Sequence, residues 1–442
     1  MTNTKWLRRA LLGGVALSVM AAGAQADELS DLKAQLEALQ SRVNVIETRP
    51  AATLPEGTSM ITFARGQGSF ADEGINDRRF GAQPADRGFT ISVTPTADMP
   101  APVAEVVVYG FVKGDVIYDF THDFGDTFDV ASVHSSEDDT DHIRLHARQT
   151  RFGINSKVDT AIGQIRTKIE GDFFGSAALR DTDDGTGGTR VELFRLRHAY
   201  GQWDMTPNWT LMVGQTWQTA AVLPIGIATV DFSGPAGPFG YGRKAQVRVT
   251  YHDGPLSWAV AIEKPTFSSE TAMPNFSSYV QYDIAGGHQF IVTGTISDYI
   301  PDEGHSGGVD IGWAVQAGAN INLADVAYLT VGAAFGEDEV CSYLLGAVGC
   351  ADEAWGVFVG LSFNINDTTS FNVGWGFDRV TDGVVGGVEL GEVDTMTVHA
   401  NILWQPVSQM RLGWEVMWGQ VDVDHGKSDD AARAQFGAWF FF

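Results

Sequence analysis

Basic residues recur at every second position in several segments of this 442-residue chain, a spacing that places them on one face of a strand. His142-Ile143-Arg144-Leu145-His146-Ala147-Arg148 sets Arg144 and Arg148 with His142 and His146, opposite Ile143, Leu145 and Ala147. Arg166 and Lys168 share a face in the next segment, and Arg195 and Arg197 lie opposite Phe194 and Leu196. Lys244 and Arg248 repeat the pattern, and Lys113 stands upstream. Brought together on neighbouring strands, these residues form a basic wall. Guanidinium forks match carboxylates bidentately, so such a wall attracts carboxylated anions. Glu170, Asp172 and Asp115 offer the alternative, a wall neutralised by a structural network. Arg151 is out of phase with Arg148 and is expected to point outward unless a bulge intervenes.

Cations at mid-membrane positions facing lipid cost about 2–4 kcal/mol each, so a wall of this kind needs a lumen to face. The elements that would supply one begin at Val103. From there alternating segments are separated by Gly, Asp, Asn and Pro turns, about sixteen in all, an even number suited to bacterial barrels. They start near Glu105, His142, Gly163, Glu192, Asn208, Gly242, Leu256, Ser277, His288, Asp310, Asp325, Ala354, Thr369, Asp394, Ser408 and Ala432. Trp355, Val357, Val359, Leu361, Phe363 and Ile365 make one lipid face, and Met410, Leu412, Trp414, Val416 and Trp418 another. Tyr118, Trp203, Trp404 and Trp439 suit interfacial girdles. The expected fold class is all-β, a transmembrane antiparallel β-barrel preceded by a short N-terminal coiled-coil helix. No stretch of eighteen consecutive apolar residues is present, which excludes a helical membrane protein.

The ends of the chain agree. Residues 1–26 read as a signal peptide: Lys5, Arg8 and Arg9 precede an apolar run, and Ala24-Gln25-Ala26 supplies the cleavage site. Residues 27–49 read as a periplasmic coiled-coil helix, with Leu29, Leu36 and Val43 on one seam position and Leu32, Leu39 and Ile46 on the other. So short a repeat is marginal alone and needs an oligomer, expected to be a homotrimer. Residues 50–103 read as a periplasmic linker with a short local strand at Phe89–Val93, and residues 104–442 as the outer-membrane barrel. Phe436, Phe440 and Phe442 share one face of the final strand and resemble the signal that outer-membrane assembly machinery reads. Cys341 and Cys350 are expected to close a loop by a disulfide after export.

Net charge is −26, and loss of Lys5, Arg8 and Arg9, with no acid among residues 1–26, takes it to −29. That argues against nucleic acid as a partner. Membrane lipid, small anionic solutes and further copies of the chain are the expected partners. Scattered Ser, His and Asp are expected in any barrel, and an enzyme is not expected. No cofactor and no metal site is expected, the acidic run Asp181-Thr182-Asp183-Asp184-Gly185 being read as a hydrated loop.

Four motifs carry a family resemblance. Val108-Tyr109-Gly110-Phe111-Val112-Lys113-Gly114-Asp115-Val116-Ile117-Tyr118-Asp119 resembles the first strand of DcaP-like porins. Ala147-Arg148-Gln149-Thr150-Arg151-Phe152-Gly153 resembles the second, and Ile169-Glu170-Gly171-Asp172-Phe173-Phe174-Gly175 the third. Phe194–Gly201 followed by Gly214-Gln215-Thr216-Trp217 completes the set. The resemblance implies a homotrimeric outer-membrane channel with an N-terminal periplasmic helical extension, associated with dicarboxylates and similar anions. It places family-type arginines at Arg148, Arg195 and Arg197. The competing expectation is a tethering barrel whose N-terminal stalk binds a periplasmic or cell-wall partner.

Overall fold

A strand that separates lipid from a lumen must be apolar on one face only, and the computed structural model shows that alternation around a closed sheet. It describes residues 59–66, 88–95, 103–128, 130, 140–175, 193–221, 226–237, 242–265, 273–299, 310–323, 326–337, 353–385, 388–425 and 428–442. The signal peptide, the heptad residues Leu29 to Ile46 and the pair Cys341 and Cys350 lie outside these residues.

The strands are β1 (Ser59–Arg65), β2 (Phe89–Pro95), β3 (Ala104–Asp119), β4 (His142–His146), β5 (Arg151–Thr160), β6 (Gly163–Gly175) and β7 (Leu193–Asp204). There follow β8 (Trp209–Trp217), β9 (Arg243–Asp253), β10 (Leu256–Glu263), β11 (Asn275–Ile284), β12 (His288–Tyr299) and β13 (Asp310–Leu323). The last six are β14 (Ala327–Glu337), β15 (Glu353–Asn366), β16 (Thr369–Val385), β17 (Val388–Val407), β18 (Met410–Val423) and β19 (Asp429–Phe441). From β5 to β19 each strand pairs antiparallel with its successor, and β19 closes on β3 from Phe441 opposite Phe111 to Arg433 opposite Asp119. The short β4 and β5 both pair with β3 and together form one wall strand. Counting them as one gives the sixteen-strand barrel expected, among the described residues.

Most strands begin within three residues of the expected position; β17 begins at Val388, earlier than the expected Asp394. The last strand behaves as its alternation predicts. Phe440 and Phe442 are exposed on the outside, whereas Arg433, Gln435, Trp439 and Phe441 are buried on the inside. Trp439 is therefore no girdle residue: it faces in, with the Lys113 ammonium 4.4 Å from its ring centre. Trp404 does face out, as expected.

β2 lies in the segment expected to be a linker with a local strand. It pairs with the lower part of β3, Phe89 opposite Val108 and Val93 opposite Ala104, where β19 has already ended. β1 pairs with β2. At one end the wall strands join by short turns. Gly163, with φ 117°, makes the β5–β6 turn, where a Cβ would overlap the Asp204 carbonyl oxygen. The long connections, residues 120–141 and 218–242 among them, leave from the other end.

Candidate functional site

The wall formed by β3 to β9 brings the nine cations to the inner face. In β4 the outward Ile143 and Leu145 are 69% and 68% exposed, so Arg144 and His146 point inward. Lys113, Arg166, Lys168, Arg195, Arg197, Lys244 and Arg248 occupy the inward phase of their strands. Arg148 follows β4, still facing Asp126 inside the barrel.

The same wall, with the segment that follows β3, carries the acids that meet them. Arg197 gives Nε to Glu170 at 2.8 Å and Nη1 to Asp172 at 2.9 Å, and all three side chains are buried. Arg195 grips Asp172 with two hydrogen bonds of 2.9 and 2.7 Å. Lys168 lies 3.8 Å from Glu170, and Arg166 reaches Asp204 at 2.8 Å. Arg144 pairs with Asp123 and Asp126, and Arg148 with Asp126. Lys113 is sealed, bound to Asp115 at 2.8 Å and to the Val230 carbonyl at 2.6 Å. Seven of the nine expected residues thus face a carboxylate, much as the alternative reading supposed. A buried pair of this kind holds because each charge has a partner, and removing one partner costs about 3–5 kcal/mol.

Arg248 differs. It faces inward on β9 and has no carboxylate partner among the described residues. Lys244 lies on the same inner face, near Glu263.

Two further arginines belong to the site and were not assigned to it. Arg151 was expected outside, yet it is buried inside, with Nε 3.6 Å from Glu170. The reason is a bulge. Between His146 opposite Asp115 and Arg151 opposite Phe111, the β4–β5 strand spends one residue more than β3, which flips the side-chain phase. A second irregularity, at Glu170 opposite His198 and Gly171 opposite Leu196, lets both Arg197 and His198 reach Glu170. Arg243 was missed because its ladder phase is opposite to that of Lys244. Its guanidinium stacks 4.0 Å from the Trp217 ring centre, a ring that Arg197 also approaches at 5.5 Å. It stands within electrostatic reach of Arg197, Arg195 and Arg151 and also of Asp172, has no carboxylate ion pair among the described residues, and its buried Nε lacks a hydrogen-bond partner.

Comparison with known proteins bears on this geometry. No protein-family model matches the chain, and no curated protein matches it. Among solved structures, the outer membrane channel DcaP of Acinetobacter baumannii is 24% identical with a TM-score of 0.64, over 77% of this chain and 97% of that one. The anion-selective porin from Comamonas acidovorans is 13% identical with a TM-score of 0.55, over 77% and 100%. A trimer form of OmpT of Vibrio cholerae is 13% identical with a TM-score of 0.52, over the same shares. The fold is a porin barrel. The likeness to DcaP agrees with the resemblance read from the first strands.

Within that barrel two connections fold inward. Residues 226–237, between the fifth and sixth wall strands, lie against β15 to β19 and β3. Glu415 accepts the N–H groups of Val230 and Asp231, and its other oxygen lies 3.0 Å from His399 Nδ1. Asn401 donates to the Ala228 carbonyl at 2.8 Å, and the Gly237 N–H donates to Asp378 at 3.1 Å. Val230 fills a buried cluster with Phe111, Leu403, Trp439 and Phe441. The wall makes room with inward glycines: a Cβ at Gly374 would come within 2.7 Å of Ile227, and one at Gly376 would overlap the Ala236 carbonyl. Residues 120–128 and 130 belong to the second inward segment, with Phe124, Phe128 and Val130 packed on Val380, Val393, Met417 and Val421. Arg433 ties the two together, donating to the Gly125 carbonyl at 2.9 Å and to Asp231 at 3.1 Å while holding Asp119 at the end of β3 at 2.6 and 2.9 Å. The loops therefore cover the β14–β19 side and also reach the basic wall, where Asp123 and Asp126 meet Arg144 and Arg148 and the Val230 carbonyl meets Lys113. Phe232 reaches across to stack on Phe174 at 4.3 Å, with the Arg195 guanidinium 5.2 Å from its ring centre.

Proposed function

We propose that the chain is an outer-membrane pore of a Gram-negative bacterium for passive diffusion of small solutes, favouring anions such as dicarboxylates. The porin fold supports the pore. Arg243 and Arg248, two guanidinium groups without carboxylate partners beside an otherwise paired wall, carry the anion preference. A cation whose field is not cancelled locally raises the concentration of anions near it, and low-dielectric walls strengthen the effect. The paired arginines hold the wall's shape. The anion-selective porin of Comamonas acidovorans, similar in fold, is consistent with this reading.

The same reading includes a signal peptide at residues 1–26, a periplasmic helix at 27–49, a Cys341–Cys350 disulfide and a homotrimer. Phe436, Phe440 and Phe442 are the part of the chain we assign to recognition by the assembly machinery.

Extensive pairing and two inward loops favour one other reading, a closed barrel that anchors an N-terminal tether. Swelling of liposomes containing the purified protein separates the two. A pore admits succinate and admits it faster than acetate, because several cations act on one dianion; a closed barrel admits neither. Equal rates for the two solutes would remove the dianion preference.

A further inference from the structure

The outer face of β9 to β13 is not evenly convex. Val260, Ile262, Phe276, Ile296 and Val315, each 42–50% exposed apart from Phe276 at 41%, surround a groove of about 660 Å³ with Gly294 in its floor. Its outward lining is almost wholly apolar. The hydroxyls beneath it, Ser277 and Thr295, bond to each other at 2.9 Å on the inner side of the wall, and Ser277 also donates to Glu263. On the outward side the Ser278 hydroxyl is the one polar side chain of the lining, so the groove offers water little to bind. It lies in the half of the wall away from the short turns at Gly254 and at Gly286-Gly287, hence toward the long-loop side.

Lys264 stands at that end. Its N–H donates to the Ala245 carbonyl at 2.8 Å, so the β9–β10 ladder continues to it, and alternation places it on the same face as Val260 and Ile262. It is exposed and has no ion-pair partner among the described residues.

We propose that this groove is a lipid site: it seats an acyl chain of a phosphate-bearing glycolipid of the outer leaflet, with Lys264 against the phosphate. An apolar channel fits a hydrocarbon chain, and a lone ammonium at its outer end fits the anionic headgroup. The proposal rests on the outer-membrane part of the functional reading and is independent of what the lumen passes.

Native mass spectrometry of the delipidated full chain, titrated with lipid A, tests it. Gly294→Leu fills the floor, where a Cβ makes only ordinary contacts of 3.7 and 3.9 Å with Ala314 and Val315. Lys264→Glu reverses the headgroup charge. The wild-type chain is expected to hold one lipid A, and each variant to bind it at least tenfold more weakly while keeping the same conductance in bilayers. Equal lipid retention by wild type and Gly294→Leu overturns the proposal. So does a change of oligomeric state in Gly294→Leu with lipid binding intact, which would assign the groove to a second copy of the chain. A silent barrel that still binds lipid A in this pattern refutes the pore and leaves the lipid site standing.

Discussion

Arg197 and Arg243 are neighbours with opposite circumstances. Arg197 is fully buried between Glu170 and Asp172, so losing it leaves Asp172 to Arg195 and Glu170 to the longer contacts of Lys168 and Arg151. Arg243 has a ring to stack on and, among the described residues, no carboxylate ion pair, Asp172 acting on it only from a distance. Arg197→Gln should therefore destabilise the barrel by about 1–3 kcal/mol, the cost of buried acceptors short of donors, seen as earlier heat-induced mobility change in gels. Arg243→Gln should leave that transition nearly unchanged yet lower the anion-to-cation permeability ratio about threefold, equal to roughly 0.65 kcal/mol. A stable Arg197→Gln, or an Arg243→Gln of unaltered selectivity, would reverse these assignments. Residue-level legibility was uneven. Strict alternation placed the nine cations on the inner face, because the lipid cost of a charge leaves no other choice. It misplaced Arg151, since one extra residue in the β4–β5 strand flips the phase and nothing in Gln149-Thr150 announces it. It passed over Arg243, whose role comes from the Trp217 ring and not from ladder phase.

At the scale of elements, the wall strands were readable and the inward loops were not. Strands such as Trp355 to Ile365 carry their own period, while residues 226–237 have none, their place being set by partners on distant strands. A signal did exist: Gly360, Gly374, Gly376, Gly413 and Gly437 are inward positions stripped of side chains, and the loop lies against them. Gly376→Val should push residues 235–237 off the wall, because its Cβ overlaps the Ala236 carbonyl, and change single-channel conductance and its noise. A variant with the parent conductance would show that the loop does not border the pore. The 120–128 segment makes a pH prediction. Burial pushes the Asp123 carboxyl up, but the Gly125 N–H and the Arg144 guanidinium outweigh it and hold the carboxyl below its ordinary value. A depressed carboxylate contributes stability above the unfolded-state value and loses it as pH falls through the folded one. The segment's anchorage should hold through mildly acidic solution and fail only below the usual carboxylate range. Conductance recorded from pH 7 down to 3 checks this, and a transition near pH 6 would point to a histidine instead.

For the whole molecule, the unpaired apolar outer face needs lipid or another copy, and the seam of β3, β19 and β2 joins the two ends of the barrel. The homotrimer we propose, with Leu29, Leu32, Leu36, Leu39, Val43 and Ile46 as the proposed seam of its stalk, predicts three chains per particle by light scattering in detergent. Deleting residues 27–49 should lower the temperature at which that particle survives. A monomer with the stalk intact would leave those heptad positions to pack on their own barrel.

Two arginines without carboxylate ion pairs would give this lumen its preference for anions in a chain of net charge −26. The most direct test is the reversal potential of single channels in a potassium chloride gradient, for the wild type and for Arg243→Gln/Arg248→Gln. The account predicts an anion-selective potential that moves toward zero in the double variant. A cation-selective wild type, or a barrel that never opens, would contradict it and leave the basic wall as structure alone.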